Sequence, residues 1–132
     1  MSTVAAPPAT KIPHFINGQW VDSQAAEWNA VVNPATAEVL GRVPMAGAAE
    51  VTRAIEAAAA AYPEWRRTPA EDRIQPLFKL KVLLEEHIDD VARIITQENG
   101  KTFTEAKAEM RRTIENVEVA CGIPTMMQGR NL

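Results

Sequence analysis

Glu98-Asn99-Gly100-Lys101-Thr102-Phe103-Thr104-Glu105 decides how the last third of the chain is read. Asn99-Gly100 is a left-handed stop for one helix, because glycine reaches positive φ without a Cβ clash. A second helix opens at once, with Thr102 and Glu105 at the Thr-x-x-Glu spacing of a capping box. One long amphipathic pattern follows. Phe103, Ala106, Met110, Ile114, Val117 and Cys121 recur at helical spacing as a continuous apolar stripe. It is expected to end near Pro124, whose ring clashes with the preceding turn.

Upstream of this stretch, the region 47–127 reads as helical throughout. A helix over about 88–99 has Asp89 and Asp90 at its positive N-terminal end, with Val91, Ile94 and Ile95 toward a core. Before it, Thr68, Pro69 and Glu71 predict another capped start, and Leu77, Leu80, Leu84 and Ile88 give the apolar stripe. Pro76 interrupts that pattern. It removes the amide that would bond the Asp72 carbonyl, so a kink is expected. The earliest helix starts near Ala48, presents Val51, Ala54, Ile55, Ala58 and Tyr62 on one face, and is expected to end or kink at Pro63.

The region 12–45 is different. Phe15-Ile16 and Trp20-Val21 flank Asn17-Gly18, a pair suited to a type I′ turn in which both central residues take positive φ. Ala30-Val31-Val32 runs into Asn33-Pro34, and Val39-Leu40-Gly41-Arg42-Val43 reads as its return strand. The fold class is therefore α+β: two β-hairpins, then about four α-helices. Residues 1–11, rich in alanine and proline, are expected to be a disordered tail, which leaves 12–132 as the ordered segment.

Composition narrows the function classes. With 132 residues the chain is long enough for one domain, and a net charge of −3 argues against a general nucleic-acid binder. No apolar run is long enough to span a bilayer, and the N-terminus lacks the pattern of a transit or signal peptide, so a cytoplasmic location is expected. The single cysteine, Cys121, excludes an internal disulfide and reads as a small core residue. His14 reads as a strand-edge residue and His87 as a residue between helices, and neither has a companion at metal-ligand spacing. No glycine-rich turn follows a strand, so no dinucleotide fingerprint or P-loop is present.

The adjacent cations Arg111 and Arg112 carry the remaining chemistry. A guanidinium stays charged, so it must reach solvent, a carboxylate or an anionic ligand. Arg112, Asn116, Val119 and Ile123 share a second helix face, mixing one cation, one amide and two apolar groups as a pocket wall does. Arg112 could hold a substrate carboxylate bidentately. The alternative from spacing alone is an ion pair from Arg112 to Glu115, or satisfaction of both arginines by Glu109.

Several segments resemble a known superfamily. They are Phe15-Ile16-Asn17-Gly18-Gln19-Trp20-Val21, Asn33-Pro34-Ala35-Thr36-Ala37-Glu38-Val39-Leu40-Gly41-Arg42-Val43-Pro44, Tyr62-Pro63-Glu64-Trp65 and Glu98-Asn99-Gly100-Lys101-Thr102. In order and spacing they resemble the N-terminal portion of the aldehyde dehydrogenases. Glu109-Met110-Arg111-Arg112-Thr113-Ile114-Glu115-Asn116-Val117-Glu118, with Ala120, Pro124, Met126-Met127 and Gly129, is similar more narrowly to the CoA-acylating methylmalonate-semialdehyde dehydrogenases.

The resemblance implies an oxidoreductase using NAD and coenzyme A. Such an enzyme converts malonate or methylmalonate semialdehyde to an acyl-CoA in valine or inositol catabolism, and is a homotetramer without nucleic-acid or membrane partners. It places Arg112 on the carboxylate of the aldehyde and gives Arg111 no role. It also implies that the cysteine nucleophile, its oxyanion-stabilising asparagine, the cofactor-binding lysine and the Rossmann sheet lie beyond Leu132. Cys121 does not match the nucleophile. On this basis the chain alone is expected to be inactive, to bind no cofactor by itself, and to leave much of its apolar helix surface exposed. Two other readings stand beside it: a truncated helical module that binds a full-length homologue, and the N-terminal piece of a general aldehyde dehydrogenase.

Overall fold

The structure, a computed structural model, describes residues 10–129. The expected tail therefore lies largely outside the described residues. Thr10 and Lys11 fall inside them: the Thr10 carbonyl accepts from the Arg42 amide at 3.0 Å, and the Ile12 amide donates to the Arg42 carbonyl at 2.9 Å. Contacts divide the chain into two compact units, residues 1–61 and 62–132.

The first unit holds both hairpins. β1 (His14–Ile16) pairs antiparallel with β2 (Gln19–Val21). Asn17 and Gly18 have φ of 52° and 74°, the paired positive values a type I′ turn needs. The register puts Phe15 opposite Trp20, with ring centroids 4.9 Å apart. β3 (Trp28–Val32) pairs with β4 (Val39–Pro44) across a turn in which Asn33 Oδ1 accepts from the Ala35 amide. Among the described residues these two two-stranded sheets are the only ones.

α1 (Ala48–Trp65) begins where expected and continues two residues past Pro63. A proline near a helix C-terminus costs one bond to the preceding turn, and here the helix absorbs that loss for its last residues. Of α1 only Glu50 is buried; Val51 and Ile55 are 47% and 63% exposed.

The second unit is helical. The expected capping box at Thr68 does not form: the Thr68 hydroxyl donates backward to the Glu64 carbonyl at 3.3 Å, and Pro69 occupies the cap position. Pro76 goes with a one-residue interruption at Ile74, whose φ of −84° and ψ of −13° remain right-handed helical. The short α2 (Ala70–Arg73) stops at Ile74, and α3 (Gln75–Glu86) restarts with Pro76 in its first turn, where a missing amide costs no helix bond. α4 (Ile88–Asn99) ends at Gly100 with φ 80°, as its Asn-Gly pair requires. α5 (Phe103–Cys121) carries the complete capping box, and α6 (Ile123–Met126) restarts at Pro124. Among the described residues, four long helices are thus accompanied by two single-turn ones, each beside a proline.

Ala92, Ala106 and Met110 form the centre of this unit, with Leu84, Ile88, Val91 and Ile95 packed on them. Ile114 is 1% exposed. Leu80, Ile94 and Phe103 were expected at the core but lie at 41%, 51% and 38% exposure. α3, α4 and α5 meet along a seam narrower than the apolar pattern on each helix. Ion pairs reinforce the seam: Lys81 on α3 reaches Glu118 on α5 at 3.2 Å, and Lys107 on α5 reaches Asp89 on α4 at 2.6 Å. No helix among the described residues is long and apolar enough to cross a membrane.

Candidate anion-binding groove on α5

Capping fixes the start of α5 and hence the direction in which every later side chain points. The Thr102 hydroxyl accepts from the Glu105 amide, and Glu105 Oε2 accepts from both the Thr102 amide and hydroxyl at 3.1 and 2.8 Å. The Thr102 hydroxyl, helped by its amide, holds the Glu105 carboxyl below the usual range. From this anchor, Glu105, Glu109, Arg112 and Asn116 follow at i, i+4, i+7 and i+11 and share one face of the helix.

That face lines a groove of about 590 Å³ together with Lys101 and Thr113. Arg112 is exposed there and makes no ion pair among the described residues, with Glu109 or with Glu115. Glu109 is instead paired with Lys101, and the Thr113 hydroxyl donates to the Glu109 carbonyl at 3.1 Å. The Arg112 guanidinium and the Asn116 amide are the uncommitted donors of the groove, beside two carboxylates that Thr102 and Lys101 hold, and a guanidinium so placed can take an incoming carboxylate.

The structure divides the helix face read from the sequence. Arg112 and Asn116 share the groove, whereas Ile123 lies past the end of α5 and lines a separate apolar recess with Trp65, Ile74, Leu77 and Met127. Val119 is 64% exposed and lines neither. Arg111 is exposed without an ion-pair partner among the described residues. Lys101 is the groove residue that sequence reasoning missed. It sits in the Asn99-Gly100-Lys101-Thr102 punctuation between helices, so its side chain reaches Glu109 only once the turn is folded.

A second polar cluster lies in the first unit. Glu50 is 8% exposed, and its carboxylate accepts from the Ser23 hydroxyl and the Gln24 amide, both at 2.9 Å. His14 Nε2 and Arg53 stand 3.7 and 3.8 Å from it. The Gln24 amide, with the Ser23 hydroxyl, His14 and Arg53, pulls the Glu50 carboxyl below its ordinary range against the opposing effect of burial. No group of three metal-ligating side chains occurs among the described residues. His87 lies between α3 and α4, and Cys121 is buried against the core, as the sequence reading placed them.

A dinucleotide needs a different local structure. The one strand-to-helix connection among the described residues, 45–47, carries a single glycine and leads to the carboxylate of Glu50 in the first turn of α1. A pyrophosphate would meet negative charge there, so these residues do not fit NAD.

Comparison with known proteins agrees with the fold. A malonate-semialdehyde dehydrogenase of Geobacillus kaustophilus (strain HTA426) is 47% identical over 121 residues, covering 92% of this chain and 25% of the relative. The crystal structure of a methylmalonate-semialdehyde dehydrogenase from Oceanimonas doudoroffii superposes with a TM-score of 0.83 at 44% identity, covering 88% of this chain and 24% of that one. A Sinorhizobium meliloti 1021 protein assigned as a methylmalonate-semialdehyde dehydrogenase, crystallised with NAD, gives 0.83 at 34% identity, with 89% and 24% covered. The chain thus spans about a quarter of the length of the relatives it matches. The profile of the aldehyde dehydrogenase family matches residues 20–132, and the chain belongs to that family.

Proposed function

We propose that this chain is the N-terminal portion of a CoA-acylating malonate- or methylmalonate-semialdehyde dehydrogenase, in which Arg112 binds the carboxylate of the aldehyde. The observation that carries the reading is the unpaired Arg112 guanidinium in the α5 groove, on a chain 47% identical to a protein named for that substrate. A semialdehyde carries a fixed negative charge at one end and the reacting carbonyl at the other. A cation on a rigid helix holds the first and thereby orients the second.

NAD, coenzyme A, the nucleophile and tetrameric assembly belong, on this reading, to the complete enzyme in the cytoplasm. Cys121 cannot supply the nucleophile, since it is buried on the core side of α5. The exposed apolar faces are surface that the rest of the enzyme covers. By itself the chain turns over no substrate, and a dehydrogenase assay with NAD, coenzyme A and malonate semialdehyde checks this.

The substrate assignment is tested in a chimera, with this chain replacing the matching quarter of the Oceanimonas doudoroffii enzyme. Arg112→Leu is expected to raise KM for malonate semialdehyde roughly 10- to 100-fold, matching the ~1.5–3 kcal/mol of a hydrogen bond to a charged group. Acetaldehyde oxidation should stay unchanged. Equal effects on both aldehydes would instead mark a general aldehyde dehydrogenase.

A further inference from the structure

Arg112 stands among carboxylates on its own helix and pairs with none of them. Glu109 is one turn before it, at a spacing where a helical Glu–Arg pair forms readily. Glu105 lines the same groove. Both are held elsewhere: Glu105 by the cap at Thr102, and Glu109 by Lys101. Lys101 precedes the helix, so it approaches Glu109 from the side of the groove away from Arg112's own turn.

We propose that Lys101 is a positioning residue for the anion site: by holding Glu109 it keeps the Arg112 guanidinium open to an incoming carboxylate. The proposal rests on the reading of Arg112 as a carboxylate ligand. A carboxylate tethered one turn away competes with a free ligand at high effective concentration. With Lys101 removed, Glu109 turns to Arg112 and becomes that competitor. Lys101 therefore acts through Glu109 and makes no contact with the ligand.

The test is a double-mutant cycle on the full 132-residue chain. The probe is 3-hydroxypropionate, a stable monoanion of the semialdehyde's length, followed at the Arg112 Nε–Hε resonance at low salt. The Lys101 and Glu109 side chains are 38% and 49% exposed, so these changes leave the core intact. Lys101→Met is expected to weaken binding about two- to fivefold, the range of one exposed ion pair, and to shift the Arg112 resonance before any ligand is added. In the Glu109→Gln background the same Lys101→Met change should have no effect.

Weakening by Lys101→Met of the same size in both backgrounds would show Lys101 acting on the ligand directly and overturn the proposal. So would unchanged binding in the otherwise native chain. Absence of any Arg112 response in the native chain would overturn the positioning role, while the Arg112 reading itself is decided separately by Arg112→Leu in the chimera.

Discussion

Glu50 shows how much a single residue can organise. Its carboxylate joins the loop at Ser23 and Gln24 to the first turn of α1, with His14 of β1 and Arg53 beside it. Because its folded-state pKa is depressed, its contribution is present in full above the unfolded-state value, about 4.3, and is lost as pH falls through the lower folded value. Acidification through that lower value is expected to release the Gln24 amide, read as faster hydrogen exchange at that position. Glu50→Gln should flatten this pH dependence; an unchanged profile would show that the carboxylate charge has no part in it. Nothing in the sequence around Glu50 marks it, since its partners are 26 and 27 residues away. Arg112 was legible as a cation on a pocket-like helix face and, through the resemblance, as a carboxylate ligand. Its freedom from Glu109 depends on Lys101, which the helix pattern alone does not bring near.

At the scale of elements, local chemistry was read well where it closes within one turn. Asn17-Gly18, Gly100 and the Thr102–Glu105 box all formed as their residue types require. Thr68-x-x-Glu71 shows the opposite case. The same spacing failed there because α2 starts one residue later, with Pro69 at the cap position, and the Thr68 hydroxyl turned back to the end of α1. Capping should matter most at α5, which carries both the core stripe and the groove. Thr102→Ala is expected to cost about 1 kcal/mol, measured as a shift in the denaturant midpoint, and to increase fraying at the Arg112 end little, since that lies beyond the first turn. The prolines set the remaining boundaries. Pro76 and Pro124 each sit in the first turn of a new helix, while Pro63 is tolerated within α1.

At the scale of the molecule, many large apolar side chains among the described residues stay exposed. Val51 and Ile55 on α1, Leu83 on α3 and Ile94 on α4 are each about half exposed or more. A monomer showing this much apolar surface is prone to association. The chain is expected to bind a hydrophobic dye and to self-associate with rising concentration by light scattering. Ile55→Glu, at a position 63% exposed, should reduce association without lowering stability. A monodisperse native chain at high concentration would contradict this. The sequence by itself determined the hairpins, the helix stops and the capped α5, because turn and cap energies are decided within a few residues. Only the tertiary structure decided which face of each helix is buried, which carboxylate holds which cation, and that Arg112 is left free. Those outcomes depend on side chains brought together from distant positions, and on which of several nearby charges pairs first.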